Sequence, residues 1–260
     1  MIEVRDLHVA FPNKAGELEQ AVNGISFTVA DGEIVGIVGE SGSGKTQTAL
    51  ALAGLSPRKA KVTGEILLDG RDLMPLTRDE IRKVQGKDVA MVFQEPMSSL
   101  NPTMRIGRQV EEVLAIHTKL TKTERRELAL QALRDVELRE VETVYRKYPH
   151  ELSGGQRQRV MIASAIIGSP KLLIADEPTT ALDVTIQAEI LKLLSKLNRE
   201  KGMSILFISH DLRVIRRLCG RALVMHHGHI VEQGPVEQIF RDPQDAYTKT
   251  LLASIPKRGC

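Results

Sequence analysis

The chain has 260 residues, enough for one large domain or for one domain with an inserted subdomain. Apolar residues make up 42% and charged residues 27%, a globular balance that excludes a disordered or fibrous chain, and a formal charge of +3 is too small to argue for nucleic acid. No apolar run approaches the roughly 20 residues of a membrane helix. Met1 is followed by Glu3, Arg5 and Asp6 with no apolar signal segment, and Cys219 and Cys260 cannot build a disulfide framework, so a reducing cytosolic setting is expected.

In chain order, residues 2–10 and 25–29 read as short strands, with Asn23-Gly24 and Asp31-Gly32 as turn dipeptides. The run from Glu33 to Val38 is apolar after its first residue, as in a strand buried on both faces, and it ends in a glycine-rich loop. Residues 46–55, rich in Ala and Leu, read as a helix that stops near Ser56-Pro57. Residues 89–93 form another buried-strand pattern. From about residue 101 to 148 strand signals fade. Thr121 and Glu124 have capping-box spacing, and Leu128, Ala132, Leu133 and Val136 fall on one helical face, so this stretch reads as a helical insert. Alternation then resumes. A buried strand at 172–175 precedes a helical stripe of Ile186, Ile190, Leu193, Leu194 and Leu197 that ends before Gly202. A strand at 204–208 and a short helix at 211–218 follow, and residues 222–225 and 229–231 read as a hairpin around a His-Gly turn. Strands alternating with helices predict an α/β fold with a mostly parallel core sheet.

The loop Gly39-Glu40-Ser41-Gly42-Ser43-Gly44-Lys45-Thr46 fits the phosphate-loop pattern fully and lies between a buried strand and a helix. Its glycines let the backbone wrap closely, so that several N–H groups can face phosphate oxygens, and the helix adds its positive end. Lys45 supplies a point charge for the β- and γ-phosphates, and the Thr46 hydroxyl can ligate Mg²⁺. The loop by itself says only that a nucleoside triphosphate binds.

Residues 171–178, Lys-Leu-Leu-Ile-Ala-Asp-Glu-Pro, put Asp176 and Glu177 at the end of a buried strand, where parallel sheets line a ligand crevice. Asp176 can hold the Mg²⁺ shell, and Glu177 is placed to polarise an attacking water. Leu152-Ser153-Gly154-Gly155-Gln156 opens a helix-compatible segment and forms a second anion-binding helix start.

Two such sites in one chain, together with the carboxylates, resemble the nucleotide-binding domain of ATP-binding cassette (ABC) transporters, over about residues 2–255. The resemblance implies one nucleotide-binding domain over 1–260. Residues 1–99 and 150–255 would form a P-loop core with an antiparallel β subdomain, residues 100–149 a helical subdomain, and 256–260 a tail. It assigns Gly39, Glu40, Ser41, Gly42, Ser43, Gly44, Lys45, Thr46 and Gln47 to nucleotide binding, with Phe11 stacking on adenine in place of the commoner Tyr. Glu177 resembles the catalytic glutamate, Gln94 the Q-loop glutamine that reaches Mg²⁺, and His210 the switch histidine. Thr46, Gln94 and Asp176 are the implied Mg²⁺ set. Leu152, Ser153, Gly154, Gly155 and Gln156 match the signature that acts on ATP held by a second cassette, and Ala181-Leu182-Asp183 resembles the D-loop. The implied activity is ATP hydrolysis coupled to transport, with ATP and Mg²⁺ bound. The implied partners are a second, similar ATPase subunit (as a heterodimer, with a homodimer open), two membrane permease subunits and an extracytoplasmic substrate-binding protein, with no nucleic acid. The implied station is peripheral, on the cytoplasmic face of the bacterial plasma membrane.

The stretch 93–102 (Phe-Gln-Glu-Pro-Met-Ser-Ser-Leu-Asn-Pro), Tyr148-Pro149-His150-Glu151 and residues 175–186 resemble the oligopeptide, dipeptide and nickel importers, and Gly39-Glu40-Ser41 with Gln47-Thr48 resembles their D-type ATPase. Longer peptide-type members continue into a cysteine-containing C-terminal region, whereas this chain stops at Lys257-Arg258-Gly259-Cys260, which tilts the expected cargo toward nickel or a metallophore. A non-transport ABC ATPase acting on DNA or ribosomes is the alternative. Chromosome-type members carry a long coiled coil before the signature, whereas Gln94 and Ser153 are 59 positions apart (153 − 94), and ribosome-type members carry two cassettes. A small-molecule P-loop kinase would lack the signature. His226, His227 and His229 read as a hairpin turn rather than as a metal site, because no Cys or carboxylate completes a set. Cys219 reads as core.

Overall fold

The computed structural model describes residues 1–95, 99–180 and 182–254. Its chain folds as two compact units, Met1–Ile81 with Ser204–Cys260, and Arg82–Met203.

In the first unit the strand β3 (Ile34–Val38) is central. Its apolar run is buried, and it pairs in parallel with β8 (Ser204–Ser209) on one side and β9 (Arg221–His226) on the other. The hairpin partner β10 (His229–Pro235) runs antiparallel to β9, with His226 opposite His229. A second, antiparallel sheet has the order β2-β1-β4-β5, from β1 (Ile2–Pro12), β2 (Leu18–Val29), β4 (Lys61–Leu68) and β5 (Arg71–Asp72). Helices α1 (Lys45–Leu52), α8 (Leu212–Leu218), α9 (Val236–Arg241) and α10 (Ala246–Ala253) complete the unit. The helix α2 (Arg78–Val84) begins at its end.

Two local expectations change here. Asn23-Gly24 is a bulge inside β2 rather than a turn: Leu7 pairs with Ile25 and Val9 with Val22, so both residues share the place opposite His8. The helix expected over 46–55 ends at Leu52. Gly54, with φ 64°, takes the left-handed position, and the Leu55 N–H reaches back to the Leu50 carbonyl at 2.8 Å, which closes the helix before the proline can.

In the second unit the strands β6 (Val89–Val92) and β7 (Leu172–Asp176) pair in parallel, and all five residues of β7 are buried. Helices α3 (Ile106–His117), α4 (Lys122–Asp135) and α5 (Val141–Arg146) occupy the stretch expected to be helical. The Thr121–Glu124 capping box forms: Glu124 N–H donates to Thr121 Oγ1 at 3.3 Å, and Thr121 N–H donates to Glu124 Oε2 at 2.7 Å. Its buried face is Ala129, Leu130, Ala132 and Leu133, while Leu128 is exposed, so the apolar stripe is rotated from the one expected. Ile106, Val110 and Leu114 of α3 join the core, each contributing about 1.5–3 kcal/mol by burial. Beside them Tyr145 lies over Gly107 and hydrogen-bonds the buried Glu111; burial first, then that carboxylate, push its hydroxyl up to about 12. Helices α6 (Gly154–Ile166) and α7 (Val184–Lys201) complete the unit, and Gly202 ends α7 in the left-handed conformation. Among the described residues no helix is long and apolar enough to cross a membrane.

Candidate active site

In the first unit the loop after β3 turns into α1 at Gly44, whose φ of 103° is left-handed, and no side chain caps the helix start. A Cβ at Gly44 would lie 2.5 Å from the Ala21 carbonyl, and one at Gly39 would lie 2.1 Å from the Met225 carbonyl. Both positions therefore exclude any side chain. Lys45 is buried, and its ammonium folds back over the loop, donating to the Gly39 and Glu40 carbonyls at 2.8 Å each, with Ser43 Oγ at 3.5 Å. A cation is thus fixed against the loop's own backbone carbonyls. Ser41, Gly42 and Thr46 are exposed on the loop and its helix start, and Gln47 is half-buried with an oxygen, Oε1, that has no hydrogen-bond partner among the described residues. Phe11 lies near the end of β1 opposite Glu19, half-buried. His210 is exposed just past β8. Its neighbour Asp211 caps α8; burial acts against the Asp211 charge, but the Arg213 guanidinium at 2.8 Å and the Arg213 N–H hold its carboxyl below the usual range.

In the second unit Asp176 is buried at the end of β7 and Glu177 follows it with φ 45°. Glu177 Oε2 accepts from Gln94 Nε2 at 3.2 Å and from Thr180 Oγ1 at 2.8 Å, so two of the expected residues meet. Leu152 is buried. Ser153 caps α6, taking the Gln156 N–H at 3.3 Å, while Gln156 Oε1 takes the Ser153 N–H at 3.0 Å. Gly154 and Gly155 form the first turn of that helix. Asp183 caps α7, accepting from Thr185 and Ile186 N–H at 3.0 and 2.9 Å. The Ala181 position of the expected D-loop, residues 96–98 of the importer-like stretch and Cys260 lie outside the described residues. Cys219 is buried as expected, and burial pushes its thiol up.

Sequence reasoning missed Thr180 and Gln187. Thr180 holds Glu177, and Gln187 Nε2 donates to Thr179 Oγ1 at 3.2 Å, tying α7 to the same loop. The Thr179-Thr180 pair was visible only as a subfamily mark. It also missed Tyr247, whose hydroxyl accepts the Glu40 N–H at 2.9 Å.

A glycine loop with a fixed lysine between a buried parallel strand and a helix start, in a chain that also ends a buried strand in Asp-Glu, defines a nucleoside-triphosphate-binding protein of the P-loop class. Comparison with known proteins narrows it. The chain belongs to the ABC transporter family, which it matches over residues 22–180. It is 53% identical over 259 residues to the peptidoglycan transport ATP-binding protein YejF of Agrobacterium fabrum, covering 99% of this chain and 47% of that one. It is 49% identical over 258 residues to the oligopeptide transport ATP-binding protein OppD of Bacillus subtilis, covering 98% and 72%. The chain therefore spans about half the length of the first relative. Among solved structures, an ATP-binding cassette captured as a dimer in a post-hydrolysis state with ADP and phosphate superposes with a TM-score of 0.81 at 31% identity, over 91% of this chain and 99% of that one. A cassette of the cbiONQ ABC transporter complex from Clostridium perfringens gives 0.78 at 30% identity, over 93% and 90%.

Proposed function

We propose that this chain is the ATP-hydrolysing subunit of a bacterial ABC importer of the peptide class, resting above all on the buried Lys45 ammonium held across the loop between β3 and α1. The loop amides and Lys45 bind the phosphates, and Phe11 offers a face to the adenine. Thr46, Gln94 and Asp176 carry a hydroxyl, an amide oxygen and a carboxylate, an all-oxygen donor set that fits Mg²⁺. Bound there, Mg²⁺ would neutralise charge on the phosphate oxygens. Glu177, oriented by Gln94 and Thr180, accepts a proton from the attacking water, and His210 senses the terminal phosphate. The helix start at Ser153–Gln156 meets ATP held by a second cassette, so nucleotide binding brings the two cassettes together and hydrolysis releases them.

The working assembly is proposed as two cassettes, two permease subunits and an extracytoplasmic binding protein, with this chain on the cytoplasmic face and residues 100–149 as the helical subdomain that meets a permease. The relatives' names are those of peptide, oligopeptide and peptidoglycan transport proteins, which favours peptides over nickel as the cargo. The deciding experiment reconstitutes the chain with its permeases in liposomes. ATP hydrolysis should rise when peptide-loaded binding protein is added, and Lys45→Ala should remove both ATP binding and uptake by deleting a charge-assisted phosphate contact. Unchanged ATP affinity in Lys45→Ala, or peptide-independent hydrolysis with no uptake, refutes the reading.

A further inference from the structure

The histidine hairpin and the C-terminal helix have no part in the function proposed above, yet both touch the phosphate loop. At the hairpin tip the Gly228 N–H donates to the Ser43 carbonyl at 3.1 Å, and the Gly228 carbonyl accepts from Asn23 N–H at 2.9 Å. Asn23 Nδ2 and His229 Nε2 are themselves 2.9 Å apart. The tip is therefore stitched between β2 and the loop.

Tyr247 approaches from the other side, in the first turn of α10. Its hydroxyl takes the Glu40 N–H at 2.9 Å. Its ring stacks on His226 with centroids 3.8 Å apart and planes 10° apart, and the His226 ring lies 4.0 Å from that of His227. The start of α10 is itself fixed. Asp245 Oδ1 accepts the Tyr247 N–H at 2.8 Å, and the Glu232 carboxylate on β10 accepts the Gln244 and Asp245 N–H groups at 2.9 and 3.1 Å. Hairpin, helix and loop thus form one closed chain of contacts within the first unit.

We propose that Tyr247 is a positioning residue of the phosphate loop: its hydroxyl fixes the Glu40 amide, and its ring, held on His226, ties the loop to the hairpin and the C-terminal helix. Phosphate binding needs several amides to converge at once, and a loop already held in that shape loses less conformational freedom when the anion arrives. Tyr247 reaches the loop's outer backbone, so its effect falls on nucleotide affinity and leaves the chemical step unchanged. The inference rests on the reading of residues 39–46 as a phosphate loop.

The test uses the full chain. Tyr247→Phe keeps the ring and its stack and removes only the hydroxyl, while Tyr247→Ala removes both. Calorimetric titration with Mg·ATP should show about 3- to 10-fold weaker binding for Tyr247→Phe, the effect of one hydrogen bond, and a larger loss for Tyr247→Ala. In the reconstituted transporter, KM for ATP should rise by the same factor while kcat stays at the wild-type value. The nucleotide-free thermal midpoint of Tyr247→Phe should fall by no more than one hydrogen bond's share, about 2–4 °C. Wild-type ATP affinity in Tyr247→Phe overturns the proposal, as does a fall in kcat at constant KM or a larger drop in the nucleotide-free midpoint, which would make the contact one of general stability. Lys45→Ala run alongside separates the failures. If it binds ATP normally, the phosphate-loop reading itself fails; if it has lost ATP while Tyr247→Phe is normal, only the positioning role fails.

Discussion

Glu177→Gln tests the chemistry most directly, because it changes charge while keeping shape. The carboxylate accepts from Gln94 Nε2 at 3.2 Å and Thr180 Oγ1 at 2.8 Å, both through Oε2. A glutamine can turn its carbonyl oxygen to the same two donors. The Thr180 N–H also bonds the Glu177 carbonyl at 3.1 Å, a main-chain contact that the substitution leaves alone. Two hydrogen bonds to a charged acceptor become two to a neutral one on a half-buried group, so the stability change should stay within about 1 kcal/mol.

The effect on turnover should be far larger. The amide cannot take a proton from water, and losing a general base costs about 10²- to 10⁴-fold in rate, or roughly 3–5 kcal/mol of barrier. Steady-state ATP hydrolysis should therefore fall at least 100-fold on that scale, while the Kd for ATP stays near wild type and the chain accumulates as an ATP-bound dimer with its partner cassette. Hydrolysis within threefold of wild type, about 0.7 kcal/mol of barrier, would refute the role of Glu177. So would parallel loss of ATP binding, which would make the carboxylate a binding or structural group. Glu177→Asp sharpens the test, since it retains the charge but withdraws it by one methylene. About a 10²-fold loss from misplacement alone is expected there, with the same unchanged affinity.

The first turn of α6 offers a contrast between adjacent glycines. A Cβ at Gly155 would come 3.1 Å from Ile186, whereas one at Gly154 would meet nothing within 4 Å. Gly154→Ala should leave the urea midpoint at wild type yet lower ATP-dependent pairing with the second cassette, read by sedimentation; wild-type pairing contradicts that use of the helix start. A pH prediction follows from Glu33, whose carboxylate is reached by Arg221 Nε at 2.9 Å and by the Ala30 N–H at 2.8 Å. Burial acts against its charge, but these contacts outweigh burial and hold its carboxyl below the usual range. The stabilisation is therefore complete above the ordinary carboxylate pKa and is lost as pH falls through the lowered folded value. Arg221→Ala should cost about 1–2 kcal/mol at pH 7, discounted because both side chains are a quarter exposed. The gap to wild type should narrow below about pH 4, and a constant gap in urea midpoints would contradict the linkage.

Legibility in the sequence followed the range of the interaction. The loop at 39–46, the strand ending in Asp176-Glu177 and the Thr121–Glu124 box are set by residues a few positions apart, so pattern alone reaches them. The antiparallel strands β4 and β5 were not visible. Lys61 to Leu68 alternates weakly, and its burial is decided by pairing with β1, from Ile2 against Leu68 to Ala10 against Lys61. The Asn23-Gly24 bulge was misread for the same reason: its sequence suits a turn, and only the register with β1 decides between the two. Leu128 was placed on the buried face because the apolar residues of α4 allow two stripes about one position apart. Tyr247 was out of reach altogether, since its meaning lies in a contact 207 positions away with Glu40.

Three features at residues given functional roles work against local stability. Helices α4, α6, α7, α8 and α10 begin with a side-chain cap from Thr121, Ser153, Asp183, Asp211 and Asp245. Helix α1 begins on left-handed Gly44 with none, which with glycine at the cap costs about a few tenths of a kcal/mol. The same turn buries the Lys45 charge, and charge is the costliest group to take out of water. Glu177 adds a left-handed φ of 45° on a residue with a Cβ, worth about 1–3 kcal/mol. None of these features helps the chain to fold, yet each has a use toward a bound polyanion: open helix amides and a fixed ammonium bind phosphate, and a turned-out carboxylate can reach a water. Strain alone does not mark them, because Asp6, Asp69, Glu137, Glu140, Ser169 and His227 are also left-handed and α3, α5 and α9 also start without a side-chain cap; what sets these positions apart is that they coincide with the glycine loop and with the strand end at Asp176-Glu177. The thermodynamic counterpart is linkage. ATP at a hundred times its Kd would return about 2.7 kcal/mol of stability, so the folded state and the nucleotide complex are stabilised by overlapping sets of groups.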